Sequence, residues 1–173
     1  VYLLGKVPSP KILLKAFEEV KPNLILTVPL ILEKIYKKMI LPQLSKTTMK
    51  VALNIPLLVS RIYAQIRKKL VDAFGGRFRE VIVGGAAMNE EVTNFLYKIK
   101  FPFTIGYGMT ECGPLISYDH NDEYVPGSCG QILKGIMKVR IDSEDPYNKV
   151  GELQVSGENV MKGYYKNEEA TSK

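Results

Sequence analysis

Apolar positions along this chain recur with two different periods. Ile12, Leu13, Ala16, Phe17 and Val20 follow the spacing of a helix with one buried face. Ser9-Pro10 just before them supplies an N-cap and a proline at the first helical position. After the breaker Pro22-Asn23, Leu24-Ile25-Leu26-Thr27-Val28 is a short β-rich run, and Pro29 opens a second helix with Leu32, Ile35 and Met39 on one side. Pro42 is expected to interrupt that helix, and residues 43–55 carry no clear period. From Leu57 to Phe74 the pattern is helical again: Leu58, Ile62, Ile66 and Leu70 recur every four residues, and Gly75-Gly76 is the stop. Glu80-Val81-Ile82-Val83 reads as a buried strand. Asn89 then caps a helix carrying Val92, Phe95, Leu96 and Ile99, with Glu90 and Glu91 complementing its dipole. Phe103-Thr104-Ile105 reads as a further strand, and Val1 to Gly5 as the end of another. Strands alternating with helices predict an α/β fold, a partly parallel sheet flanked by helices.

Beyond Glu111 the period changes. Residues 112–135 are rich in Gly, Pro, Asp and Asn and read as loops, while 136–141 and 152–156 alternate as half-buried strands. The expected organisation is an α/β portion over residues 1–118 followed by a smaller β-rich subdomain over 119–173.

Composition narrows the class. With 173 residues, 46% hydrophobic and 24% charged, the chain has the make-up of a globular protein with a substantial core. No apolar run is long enough to span a bilayer, and the start lacks the pattern of a signal peptide. The chain opens on Val1-Tyr2-Leu3-Leu4 without an initiator Met, which suggests an internal segment of a longer protein. Cys112 and Cys129 lack metal-knuckle spacing, so free thiols in the cytoplasm are the default. The net charge of +6 is unevenly placed: residues 30–79 hold eleven Lys or Arg against only Glu33 and Asp72. A solvated helix face accounts for such a run, and an anionic membrane surface is the alternative, giving peripheral membrane association. No nucleic acid is expected, because the charges are not interleaved with aromatics and no nucleic-acid motif accompanies them.

The candidate chemistry centres on Gly106-Tyr107-Gly108-Met109-Thr110-Glu111 at the end of the Phe103–Ile105 strand. Two glycines there permit unusual dihedrals or a close ligand approach. A hydroxyl and a carboxylate behind a strand end suit a phosphate and its metal ion, Glu111 offering Mg²⁺ a hard oxygen. Gly84-Gly85-Ala86-Ala87 ends the preceding strand with almost no side chain. Close helix–sheet packing could explain it, and so could a flat ligand such as a purine lying between it and the Tyr107 ring. His120 reads as an exposed loop residue, Cys112 as packing, and Tyr164-Tyr165 as packing of the β-region. Neither a Walker lysine loop nor a GxGxxG fingerprint occurs.

These motifs together resemble the adenylate-forming superfamily of acyl-CoA synthetases, peptide-synthetase adenylation domains and luciferases. Tyr107-Gly108-Met109-Thr110-Glu111 looks like its YGxTE motif, and Gly84-Gly85-Ala86 like its adenine-flanking loop. Gly151-Glu152-Leu153 through Gly163-Tyr164-Tyr165 and Ala170-Thr171 is similar to its GEL…GYY…T block. The match is closest to long-chain fatty-acid–CoA ligases, through Thr27-Val28-Pro29, Glu33-Lys34-Ile35-Tyr36 and the long helical stretch before Gly84. Met109, where peptide-synthetase domains usually have Pro, counts against those. The resemblance implies a parent enzyme that joins a fatty acid to ATP and then to CoA. It implies that Gly85, Ala86, Ala87, Tyr107, Gly108 and Met109 contact the nucleotide, that Thr110 contacts the α-phosphate, and that Glu111 binds magnesium. Thr110 and Glu111 would carry catalysis, and Gly106 would line the acyl channel.

Three parts of the family's apparatus do not occur in this chain: the Ser/Thr/Gly-rich phosphate loop, the ribose-binding Asp and the C-terminal catalytic Lys. The segment alone is therefore expected to be inactive. Adenylation of an aryl or amino acid, and a non-catalytic nucleotide- or lipid-binding module, are the other readings the motifs allow.

Overall fold

The computed structural model describes residues 9–172, so the expected strand over Val1 to Gly5 lies outside the described residues. The first helix, α1 (Pro10–Val20), begins where the sequence places it. Ser9 accepts a hydrogen bond from Ile12 N through its side chain, and Pro10 starts the helix. β1 (Leu24–Thr27) follows, then α2 (Pro29–Ile35). The second helix changes character before Pro42. Tyr36–Ile40 form a π-helical turn closed by Leu41 N donating to Tyr36 O, and α3 (Leu41–Leu44) carries Pro42 in its first turn. Proline has no N–H to give and its ring crowds the carbonyl four residues back. Widening the turn before it relieves both, so the interruption lies one turn earlier than expected.

The ambiguous stretch contains α4 (Thr47–Ala52), followed by α5 (Pro56–Ala73). Gly75 and Gly76 end α5 in the left-handed region, with φ of 93° and 71°, and Gly76 N donates to Val71 O at 2.9 Å. β2 (Glu80–Val83), α6 (Glu90–Lys98) and β3 (Phe103–Ile105) complete this part. β1, β2 and β3 form a parallel sheet in that order, with Thr27 beside Val83 and Val83 beside Ile105.

The sheet is the centre of the larger core. Val81, Val83, Phe103 and Thr104 are fully buried, and Phe74 at the end of α5 stacks on Phe17 of α1 at 5.3 Å between ring centres. Phe74, Phe78 and Phe101 close a triangle of tilted and edge-on rings with centroids 5.6–5.9 Å apart. The apolar stripe of α5 is not buried throughout. Ile66 and Leu70 are in the core and Ile62 packs at its margin, but Leu58, expected to belong with them, is 37% exposed.

The remainder is built from short antiparallel pairs, as the change of period implies. β4 (Tyr107–Gly108) pairs with β5 (Leu115–Ser117) around a 3₁₀ turn at Thr110–Cys112. β6 (Met137–Asp142) pairs with β7 (Glu152–Gly157), and α7 (Glu168–Thr171) follows. The chain therefore forms two compact units. One holds the described residues up to Ile105 together with His120–Ser128, and the other holds Gly106–Asp119 together with the described residues from Cys129 onward. The second unit has its own small core of Cys112, Ile116 and Met137, with Leu133, Val139, Val155 and Val160 against it. Among the described residues no helix is long and apolar enough to cross a membrane.

Candidate active site

Gly85, Ala86 and Ala87 lie in the first unit, exposed in the segment that leaves the carboxyl end of β2. Gly85 has φ of 86°, a conformation that L side chains rarely adopt, so glycine is required there by the backbone. The loop is pinned at its far end by α2 and the π turn. Glu33 accepts a hydrogen bond from Asn89 N at 2.9 Å, Asn89 caps α6 through Val92 N, and Tyr36 Oη donates to Glu91 Oε1 at 3.0 Å. Tyr36 is buried. Burial, and then the hydrogen bond and negative charge of Glu91, push its hydroxyl up to about 12. Sequence reading did not assign this pair of ties. Both residues sit in the Glu33-Lys34-Ile35-Tyr36 run, which carried only a family resemblance.

Gly106 to Glu111 lie in the second unit. The two glycines do not serve the unusual dihedrals expected of them. The described glycines with positive φ include Gly85 and Gly113 but neither Gly106 nor Gly108. At Gly108 the demand is for space: a Cβ there would collide with the carbonyl oxygen of Pro114, the residue just before the facing strand. Gly113, at φ 59°, is the residue that turns the chain after the 3₁₀ turn. Tyr107, Met109 and Thr110 are exposed around it, and Glu111 is partly exposed.

The turn that carries Glu111 is strapped by residues 159–164. Met161 N donates to Glu111 O at 2.8 Å. Asn159 Nδ2 donates to the carbonyls of Cys112 and Leu115 at 2.6 and 3.0 Å. Tyr164 Oη donates to Glu111 Oε1 at 2.8 Å. This last bond, aided by Glu111's own backbone, holds the Glu111 carboxyl below the usual carboxylate range, and the same bond raises the Tyr164 hydroxyl. Tyr164 therefore does more than pack the β-region, and Asn159 was not singled out at all. Its place between the GEL and GYY segments was the available signal. Tyr165, by contrast, is 88% exposed.

Cys112 packs, as expected. Burial, and then the adjacent Glu111 charge, push its thiol up, away from the thiolate that a nucleophile needs. His120 is on a loop with its Nδ1 3.7 Å from Glu80 Oε1. Glu80 is a buried carboxylate that also accepts from Asn121 N and Nδ2.

Among the described residues no group of three or more His, Cys, Asp or Glu could by itself hold a metal ion. Glu111 is nonetheless a suitable single ligand: a carboxylate kept ionised, partly exposed, and fixed by one of its two oxygens. Magnesium is commonly held by one or two carboxylates with the rest of its shell from phosphates and water, so this donor set fits a phosphate-borne Mg²⁺ and not a protein cage.

Comparison with known proteins bears on the family and the fold. Long-chain-fatty-acid–CoA ligase 1 of Saccharomyces cerevisiae is 28% identical over 172 residues, covering 90% of this chain and 25% of that protein. 4-Coumarate–CoA ligase 1 of Narcissus pseudonarcissus is 33% identical over 123 residues, covering 64% of this chain and 22% of that protein. The chain thus spans about a quarter of the length of these curated relatives. The solved structure of O-succinylbenzoate coenzyme A synthetase from Bacillus subtilis, in complex with ATP and magnesium ion, has a TM-score of 0.63 at 20% identity. It covers 95% of this chain and 29% of that one, a likeness of fold. The family model described as AMP-binding enzyme matches residues 1–165, and with the glycine loop after β2 and the strapped Glu111 turn in place, this chain belongs to that family.

Proposed function

We propose that the chain is the nucleotide-handling segment of an ATP-dependent acid–thiol ligase whose acid is a long-chain fatty acid. The observation that carries this reading is the Tyr164–Glu111 hydrogen bond of 2.8 Å, which ties the GYY segment to the YGxTE segment and keeps an accessible carboxylate ionised. In the first half-reaction an oxygen of the fatty-acid carboxylate attacks the α-phosphorus of ATP and pyrophosphate leaves. In the second, the CoA sulfur attacks the acyl carbonyl and AMP leaves with the bonding electron pair.

Magnesium, when bound, supplies charge neutralisation of the phosphates. The chain's own residues bind and orient. Glu111 offers the anionic oxygen, and Thr110 offers an exposed hydroxyl that can donate to the α-phosphate. Gly85, Ala86 and Ala87 present nearly bare backbone to adenine, while Tyr107, Gly108 and Met109 supply a ring and an extended strand. Gly106 leaves room for the acyl chain. Positioning of this kind is a large part of the catalysis available to phosphoryl chemistry. The reading includes a cytoplasmic enzyme with a peripheral contact to the membrane in which its substrate partitions.

A second reading, an aryl-acid ligase, is favoured by the 33% identity to the coumarate relative. The test is acid-dependent ATP–pyrophosphate exchange by the parent enzyme. Exchange driven by long-chain fatty acids, and reduced about a hundredfold or more in Glu111→Gln, is the expected result. Exchange driven by 4-coumarate instead selects the second reading. Exchange with no carboxylic acid, or full activity in Glu111→Gln, overturns both.

A further inference from the structure

The first unit carries a feature that the nucleotide chemistry does not use. Between α4 and α5 the chain makes a tight turn, with Asn54 N donating to Val51 O at 3.1 Å and Ile55 N to Ala52 O at 3.2 Å. The large side chains on and beside this turn point to solvent. Val51 is 59% exposed, Ile55 43%, Leu57 83% and Leu58 37%. Four large apolar residues exposed within eight positions exceed the scattered singles of an ordinary surface. One of them, Leu58, is also the upper end of the α5 stripe whose lower end, Ile66 and Leu70, is core. The periodicity predicts Leu58 buried, yet it is 37% exposed.

The surroundings are cationic. Lys46 and Lys50 on the α4 side and Arg61 one turn into α5 are all exposed, with Lys37 and Lys38 exposed on the preceding π turn. No Asp or Glu occurs between Glu33 and Asp72. An apolar turn flanked in sequence by exposed cations and by no acid complements one kind of surface well: anionic headgroups over hydrocarbon. Lysines meet the phosphates, and the leucines reach the acyl boundary.

We infer that the α4–α5 turn, with Leu57 at its tip and Lys46, Lys50 and Arg61 flanking it in sequence, is a membrane-docking element that inserts into anionic lipid surfaces. The inference deepens the peripheral contact read above and is independent of the ligase chemistry.

The chain contains no tryptophan, so Leu57→Trp creates a sole tryptophan at an exposed position, excited selectively over the ten tyrosines. Tyr147→Trp, at a 96% exposed site in the other unit, is its control. The full 173-residue chain is mixed with phosphatidylcholine vesicles containing about 30% phosphatidylserine, and with pure phosphatidylcholine vesicles. The expected result is a blue shift of the Leu57→Trp emission on the anionic vesicles only, reversed by salt, with the Tyr147→Trp emission unmoved. Lys46→Ala with Lys50→Ala should weaken partitioning about 30-fold. Equal binding to both vesicle types, no shift in Leu57→Trp, or the same shift in Tyr147→Trp overturns the inference. A concentration-dependent shift without vesicles also overturns it, and assigns the tip to a second copy of the chain. Failure of fatty-acid-dependent pyrophosphate exchange would remove the ligase reading and leave the vesicle result untouched.

Discussion

Tyr164 Oη lies 2.8 Å from Glu111 Oε1 and donates its proton to that oxygen across 53 positions of sequence. The bond leaves Oε2 of the carboxylate for another partner. It also makes the ionisation of Glu111 easier and that of Tyr164 harder.

Removing the donor should therefore be read in the pH dependence of the reaction. In Tyr164→Phe the Glu111 carboxyl rises back toward its ordinary range, so the acid limb of the exchange rate moves to higher pH. A structural role alone would lower the rate at every pH without moving that limb. The stability signs follow from the same shifts. The lowered Glu111 contributes stability above the ordinary carboxylate range, lost as pH falls through its folded value. The raised Tyr164 contributes below the ordinary phenol range, lost as pH rises through its folded value. Parallel pH–rate profiles in wild type and Tyr164→Phe would contradict this account.

The two glycines of the central motif should separate by substrate. Gly108→Ala forces a Cβ onto the Pro114 carbonyl and should destabilise the β4–β5 pair by roughly 1–3 kcal/mol, lowering activity on all acids alike. Gly106 has no positive φ to protect, so Gly106→Leu acts through occupied space. It should penalise long fatty acids more than short ones. Comparing kcat/KM over a chain-length series decides, and a uniform loss in Gly106→Leu removes that residue from the acyl site.

Tyr36 provides a test inside the first unit. Ultraviolet titration should show one tyrosine ionising near pH 12, and Tyr36→Phe should abolish that step. Because its folded value is raised, the contribution to stability is complete below the ordinary phenol range and disappears as pH rises through about 12. At neutral pH the variant should lose about 0.5–1.5 kcal/mol, measured by urea unfolding.

Asn159 holds the Glu111 turn by its amide alone. Asn159→Ala leaves the Cys112 and Leu115 carbonyls without that donor, at a cost of about 1–3 kcal/mol. Amide hydrogen exchange should accelerate at Gly113 and Met161, whose N–H groups donate to Thr110 O and Glu111 O. Unchanged exchange there would show that β4 and β5 hold the turn without it.

Local information was enough for most of the elements. Ser9, Asn89 and Gly75 sit where the sequence calls for caps and a stop, because each interaction closes within a few residues. The strand runs at Glu80 and Phe103 needed only their own apolar side chains to declare buried strands, whereas in the equally apolar Leu24 run only Ile25 is buried and Leu24 and Leu26 are exposed. The central motif was visible as residue types, yet the reason for its glycines was not. Gly108 answers to Pro114 across a strand pair, and no dihedral preference records that. The same holds for the straps of Tyr164 on Glu111, Asn159 on Cys112 and Tyr36 on Glu91, whose partners meet only after the chain has folded. Leu58 marks the boundary most clearly. A four-residue period states that it shares a helix face with Ile66 and Leu70, but whether anything stands opposite that face is decided by where α5 meets the rest of its unit.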